Sequence, residues 1–530
     1  MIERPSATGD ERWLQAGTVR IGLRPSVAVR EHSIAGALVL YLSLYDDEID
    51  ERWSRFGSGG GDLEAAAGRL ELTDAALIVR GDEVVAMRGG ACTFPLFWHA
   101  SAGGLCLTTR LPVAGGVPFS RAGLVAGAAA AALHSSYEPN AFLETPLAGW
   151  FRLRRGALTR FRAARVLAEQ PIVGPVMPGA EPGLEAGVSA KAEAGAARDT
   201  IEAQVSAAFE AYGRSQRAVR RSVLEVSGGF DSTLAAAVLA NRQGMQGVSV
   251  AFPYYEFRFE AEIQAATAAA LGIARVEFDG TDLFPYAPAQ RPAAFEEPSV
   301  FITAIRHSER VAAFAAEQGA ERIYMGHGGD QCFATDLCQR EMLVSNPPGR
   351  GPFSRDAWRV VSAAIETIRR SRWQDRGLGT FVYDARQDVW VKENFGVTIR
   401  TPFSDLAVFR AAQAWSRWCA GRGMRPDKRI LADALPGRLP PAILQRRGKV
   451  AYDGVWMRAY RRHGDHISGV FERSAAVFDA LGISTHWLLR RTRQLQRWEP
   501  ASDREVLALY ALAVWLQARG IERAAELRFA

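Results

Sequence analysis

A chain of 530 residues is too long for a single hydrophobic core, and its length predicts about two to four domains. Hydrophobic residues make up 48% and charged residues 23%, the composition of an ordinary globular protein rather than a disordered or fibrous one. The formal charge of +6 is modest for this length, and no apolar run reaches the roughly 18 residues of a membrane span.

The opening residues, Met1-Ile2-Glu3-Arg4-Pro5, lack the apolar core of a signal peptide. The five cysteines (Cys92, Cys106, Cys332, Cys338 and Cys419) form no C-x-x-C pair and no zinc-ligand spacing. Odd in number and widely scattered, they are expected to be free thiols in a reducing compartment, which predicts a cytoplasmic location.

Between about residues 18 and 115, short apolar or alternating segments (38–44, 76–80, 83–88, 94–99 and 104–109) are separated by turn clusters, which predicts a β-rich first domain over 1–165. The composition then shifts to Pro, Gly, Ala and Glu, and 166–198 reads as a linker entering a helix. From 199 to 530 helical periods alternate with short apolar strands at 222–226, 247–252, 275–278 and 322–325. That alternation predicts an α/β domain, a parallel sheet with helices on both faces, followed by a mainly helical, aromatic-rich extension. Ligands of such sheets bind beyond the carboxyl ends of the strands.

Two loops fall on that edge. Val226-Ser227-Gly228-Gly229-Phe230-Asp231-Ser232-Thr233 joins a buried strand to an alanine-rich helix. A glycine turn there directs backbone N–H groups and a helix dipole at an anion, with hydroxyls from Ser227 and Ser232 and a carboxylate from Asp231 able to hold a divalent cation. The second loop is Gly326-His327-Gly328-Gly329-Asp330-Gln331, so Asp231 and Asp330 are expected to converge on one Mg²⁺ that bridges nucleotide phosphates. Further on come Thr401-Pro402-Phe403-Ser404-Asp405 and Gly448-Lys449, the lysine being a candidate to meet charge that builds up in a reaction. Basic clusters at 438–449, 461–463 and 490–497 are either a solvated helical face or a surface for an anionic substrate. No nucleic-acid-reading motif is present, so no nucleic-acid partner is expected.

The hexapeptide S-G-G-F-D-S resembles the pyrophosphate loop of ATP pyrophosphatases. Together with Gly326 to Asp330, Pro402 to Asp405 and Lys449, it resembles the asparagine synthetase family. The resemblance implies an ATP-pyrophosphatase fold for the second domain. It also implies a degenerate Ntn-hydrolase, glutaminase-like fold for the first, where 95–99, 107–111 and 149–156 are similar to that domain's strands and closing segment. The family's glutaminase uses a cysteine at position 2, and this chain has Ile2. The expectation is therefore either free ammonia or an amine carried by the substrate. The latter case resembles β-lactam synthetases and, more closely, the lasso peptide cyclases.

On that resemblance the implied substrates are Mg-ATP and a leaderless precursor peptide, with a leader peptidase and a leader-binding protein as partners. Nucleotide contacts are expected from Val226, Ser227, Gly228, Gly229, Asp231, Ser232, Gly326 and Gly328, with adenosine near Val250 and Phe252. His327 either accepts the amine's proton or holds its loop by a hydrogen bond, and Glu393 is its candidate carboxylate partner.

Overall fold

The computed structural model describes residues 12–34, 36–57, 66–92, 94–112, 117–134, 143–172, 189–239, 244–252, 254, 258–291, 295–334, 351–370, 385–446, 453–499 and 504–529. Strands of the first part are β1 (Arg12–Ala16), β2 (Val19–Leu23), β3 (Ala28–Ile34), β4 (Ala37–Ser43), β5 (Ala75–Arg80), β6 (Glu83–Arg88), β7 (Phe97–Ser101), β8 (Gly104–Thr108), β9 (Trp150–Arg152), β10 (Ala157–Arg162) and β11 (Arg165–Pro171). They form two stacked sheets, ordered β1-β2-β8-β7-β9 and β11-β10-β6-β5-β4-β3.

Strand alternation sends one set of side chains into the space between the sheets, where Leu14, Ile21, Leu105 and Leu107 meet Leu40, Leu42, Leu77 and Val79. The outer face of the six-stranded sheet buries Tyr41, Ile78 and Met87 under Ile49 and Phe56 of the helix Ile49–Gly57. On the other outer face Phe97 and Trp150 share a core with Leu124 and Val125 of the helix Arg121–His134. The layers thus run helix, sheet, sheet, helix.

The second part is built on β12 (Ser222–Glu225), β13 (Met245–Ala251), β14 (Arg275–Asp279), β15 (Arg322–Tyr324) and β16 (Thr398–Arg400). All pair in parallel, in the order β14-β13-β12-β15-β16. Both faces are covered, as a parallel sheet requires. Val223, Val248 and Ile323 face a core shared with the helix Ile305–Glu317 and the C-terminal helices, whereas Leu224, Val226 and Tyr324 face a core shared with the helices Ser189–Ser215, Phe230–Leu239 and Leu406–Ala420. The chain runs outward from β12 to β14 and then returns to β12's other side with β15. This reversal opens a crevice at the carboxyl ends of β12 and β15.

The expected linker is shorter than 166–198. β11 continues the six-stranded sheet to Pro171, and the helix into the second part starts at Ser189. The boundary was misplaced because β11 is an edge strand with exposed Val166 and Leu167, so it shows no apolar alternation.

Buried charges dock the two parts. Arg24 pairs with Glu296 and lies 3.2 Å from Glu393. Arg152 donates to Glu297 at 2.8 Å. Glu48 receives Arg52 at 2.7 Å and Arg322 at 2.6 Å, and also pairs with Arg400.

Candidate active site

The turn after β12 is braced from within. Ser227 Oγ and Ser232 Oγ are 2.8 Å apart, Ser232 Oγ donates to the Gly229 carbonyl at 3.1 Å, and Thr233 Oγ1 donates to the same oxygen at 2.9 Å. Gly228 takes φ +74°, a conformation that favours glycine. The carbonyls of the turn are pulled outward: Gln264 Nε2 donates to Ser227 O at 3.4 Å, and Arg446, itself paired with Glu260, donates to Gly228 O. The Ser227 and Gly229 amides donate within the turn, to Ser232 Oγ at 3.3 Å and Ser227 Oγ at 3.4 Å, while the N-terminus of the helix Phe230–Leu239 follows directly, an arrangement suited to phosphate.

The loop after β15 packs against this turn with no room for side chains. A Cβ on Gly326 would collide with the Ser232 backbone, and one on Gly329 would collide with the Asp231 carboxylate. That closeness brings the two acids together. Lys428 Nζ lies 2.6 and 2.7 Å from the two Asp231 carboxylate oxygens and 2.5 Å from Asp330 Oδ1. An ammonium group therefore occupies the point where both carboxylates converge. Hard divalent cations take such oxygen donors, so Asp231 and Asp330 fit Mg²⁺.

His327 is exposed on this loop, and its carbonyl accepts a hydrogen bond from Thr401 Oγ1 at 2.6 Å. Asp405 caps the helix Leu406–Ala420 through the amides of Ala407 and Val408, at 2.9 and 3.2 Å. The surrounding protein lowers the pKa of His327, and His307 lowers it further against the opposing pull of Glu225 and Asp231.

Glu393 does not serve as its carboxylate partner. It accepts from Ser26 Oγ at 2.9 Å and from Arg24, in the contact between the two parts of the molecule. Sequence proximity to the Phe395 segment was misleading, because the helix Ala385–Phe395 turns this residue toward the first part. The carboxylates whose charges act on His327 are Glu225 and, more weakly, Asp231.

Val226 ends buried in the sheet, and its amide donates to Val248 O at 2.7 Å. Val250 and Phe252 lie partly buried at the end of β13, with Phe252 against Phe284 at 5.0 Å between ring centroids. Gly328 takes φ +100°. Lys449 and Gly448 lie outside the described residues.

Sequence reasoning missed Lys428, Glu225, His307 and Arg446. Lys428 sits in Arg425-Pro426-Asp427-Lys428, which carries no motif. Glu225 did leave a signal, an acid in the otherwise apolar Val223-Leu224-Glu225-Val226.

Residues 210–390 match the asparagine synthase family, so a domain of that kind is present in the chain. No curated protein matches it. Among solved structures, it is similar to the U34-tRNA thiolase NcsA from Methanococcus maripaludis with its [4Fe-4S] cluster (13% identity, 39% of this chain and 76% of that one, TM-score 0.19). It is also similar to NMN synthetase from Francisella tularensis (12% identity, 49% and 98%, TM-score 0.17). Neither likeness is close enough to carry an argument. Among the described residues no helix is long and apolar enough to cross a membrane.

Proposed function

We propose that the chain is an ATP-dependent, AMP-forming amide ligase that closes a macrolactam in lasso peptide biosynthesis. The observation that carries the reading is the convergence of Asp231 and Asp330 on one cation position beside the Ser227–Ser232 turn. The asparagine synthase match over 210–390 supports the coarser class, an amide-forming synthetase that uses ATP. The spellings G-H-G-G-D-Q and G-K-x-x-Y-D-G, by resemblance, support the cyclase. The sheet–sheet layering of the first part and its buried Cys92 support reading 1–165 as a glutaminase-like domain without its nucleophile. Burial pushes the Cys92 thiol up to about 11, away from thiolate chemistry.

The Ser227–Ser232 turn binds the phosphates of ATP through its amides and hydroxyls. Asp231 and Asp330 would hold Mg²⁺, which when bound neutralises charge on the departing pyrophosphate. An Asp or Glu side chain of the leaderless peptide attacks the α-phosphorus, and pyrophosphate leaves against Gly228, Gly229 and the Lys428 ammonium, with Lys449 as a further cation. The peptide's own α-amine then displaces AMP from the acyl-adenylate. Closing a ring of about eight residues costs only roughly 2 kcal/mol in chain entropy, so the harder task is holding the threaded peptide away from water. A leader peptidase and a leader-binding protein would supply that peptide, in the cytoplasm.

The test is pyrophosphate release with Mg-ATP, comparing leaderless candidate precursor peptide with aspartate plus ammonium, and mass analysis of the product. Peptide-dependent release with loss of one water is expected. Release with aspartate and ammonium, yielding asparagine, would replace the cyclase with an ammonia-dependent synthetase.

A further inference from the structure

Beside the crevice stands a carboxylate–imidazole pair that the phosphate-binding groups leave unused. Glu225 closes β12, two residues ahead of Ser227, and its Oε1 lies 2.8 Å from His307 Nε2 in the first turn of the helix Ile305–Glu317. His327 stands close enough to act on Glu225, and it feels the charges of Glu225, His307 and Asp231. Four chemically active side chains from β12, one helix and the two ligand loops thus gather at one place.

The pair differs from the ionic contacts that hold the fold together. Arg52 and Asp74 keep 4% and 0% of their side-chain surface, whereas His307 and Glu225 keep 27% and 20%, so the pair is partly open rather than sealed. The carboxylate fixes the ring: with Nε2–H donated to Glu225, the lone pair of a neutral His307 sits on Nδ1.

We propose that His307, oriented by Glu225, is the proton acceptor of the amide-forming step. This rests on the amide-ligase reading above. In that step the amine nitrogen attacks the acyl carbon of the adenylate and a C–N bond forms. The C–O bond to AMP breaks, with its electron pair leaving on the phosphate. One N–H proton passes to Nδ1 of His307, and the Glu225 carboxylate stabilises the imidazolium that results, as a buried acid does for a catalytic histidine elsewhere. The same carboxylate, by its charge and hydrogen bond, raises the pKa of His307 against the opposing effect of burial, which makes it the stronger base of the two imidazoles. His327 then keeps the loop role that its carbonyl bond to Thr401 already gives it.

The experiment separates the two half-reactions in the full chain, with Mg-ATP and leaderless candidate precursor peptide. ATP–pyrophosphate exchange reads adenylation, and mass analysis reads the amide. His307→Ala and Glu225→Gln should retain exchange within a few-fold while amide formation falls by about 10²-fold or more. Added imidazole should restore part of the His307→Ala loss. His307→Gln, with a melting temperature matched to the parent, guards against a folding defect. Equal loss of exchange and amide formation in a stable variant, or unchanged amide formation, would overturn the proposal. Absence of exchange in the parent protein with every carboxylate substrate would remove the amide-ligase reading, and the proposal with it.

Discussion

Charged clusters in the two parts of the molecule differ in how far they are sealed. In the first, charged groups are consumed by the fold: Arg52 meets Asp74 at 2.7 Å, Tyr41 and Ser43 donate to the same acid at 2.7 and 2.9 Å, and Arg88 donates to the Leu153 and Phe94 carbonyls at 2.8 and 3.0 Å. In the second, Asp231, Asp330 and Lys428 gather at strand ends and keep 18%, 23% and 18% of their side-chain surface. A satisfied, sealed cluster holds structure together, while charges gathered at an open edge remain available to a ligand.

That contrast can be broken by substitution. The largest expected effect is on chemistry alone: Asp231→Asn or Asp330→Asn should lower pyrophosphate release by about 10²–10³-fold or more, measured with Mg-ATP and peptide, with little change in melting temperature. Lys428→Ala should cost about 10²-fold in the same assay. It should also leave the two acids repelling each other, so that Mg²⁺ raises the variant's melting temperature more than the parent's. Equal shifts would mean that the acids do not share a cation.

In the first part the pattern should invert. Glu48→Gln leaves Arg322 and Arg400 facing a neutral group and should cost about 3 kcal/mol of stability in denaturant unfolding. The step chemistry of the remaining folded protein should be unaltered. A large fall in turnover per folded molecule would give this region a catalytic share and end the contrast.

The smallest effect is a pH drift. Burial, then the charge of Arg462, hold His463 down to about 4 from an ordinary 6.5. Above pH 6.5 the ring is neutral in both folded and unfolded chains. Between about pH 6.5 and 4 the unfolded chain binds a proton that the fold refuses, so stability should fall as pH drops through that window. His463→Gln should flatten that slope in melting curves taken across it.

Much of the second part was legible because its signals are local. Strands expected at 222–226, 275–278 and 322–325 appear as β12, β14 and β15 within a residue or two, since short apolar runs followed by glycine turns state both the strand and its end. β1, β2 and β3 passed unseen: β3 reads Ala-Val-Arg-Glu-His-Ser-Ile, half-exposed at a sheet edge, with no alternation to detect. The expected pairing of His327 with Glu393 failed for a different reason. It needed the direction in which a helix presents its side chains, and packing against Arg24 and Ser26 set that direction.

By itself the sequence determined the strand–turn–helix units, the glycines that let the two loops touch, and the presence of Asp231 and Asp330 at strand ends. These depend on backbone sterics and hydrophobic period within a dozen or so residues. Only the tertiary structure decided which cation lies between those acids and which acid meets which histidine. Asp231 and Lys428 are 197 positions apart, and Glu225 and His307 are 82 apart. No local propensity spans such separations. Those partners are chosen by strand order and helix packing, which bring distant charges to one edge where burial makes each of them require the other.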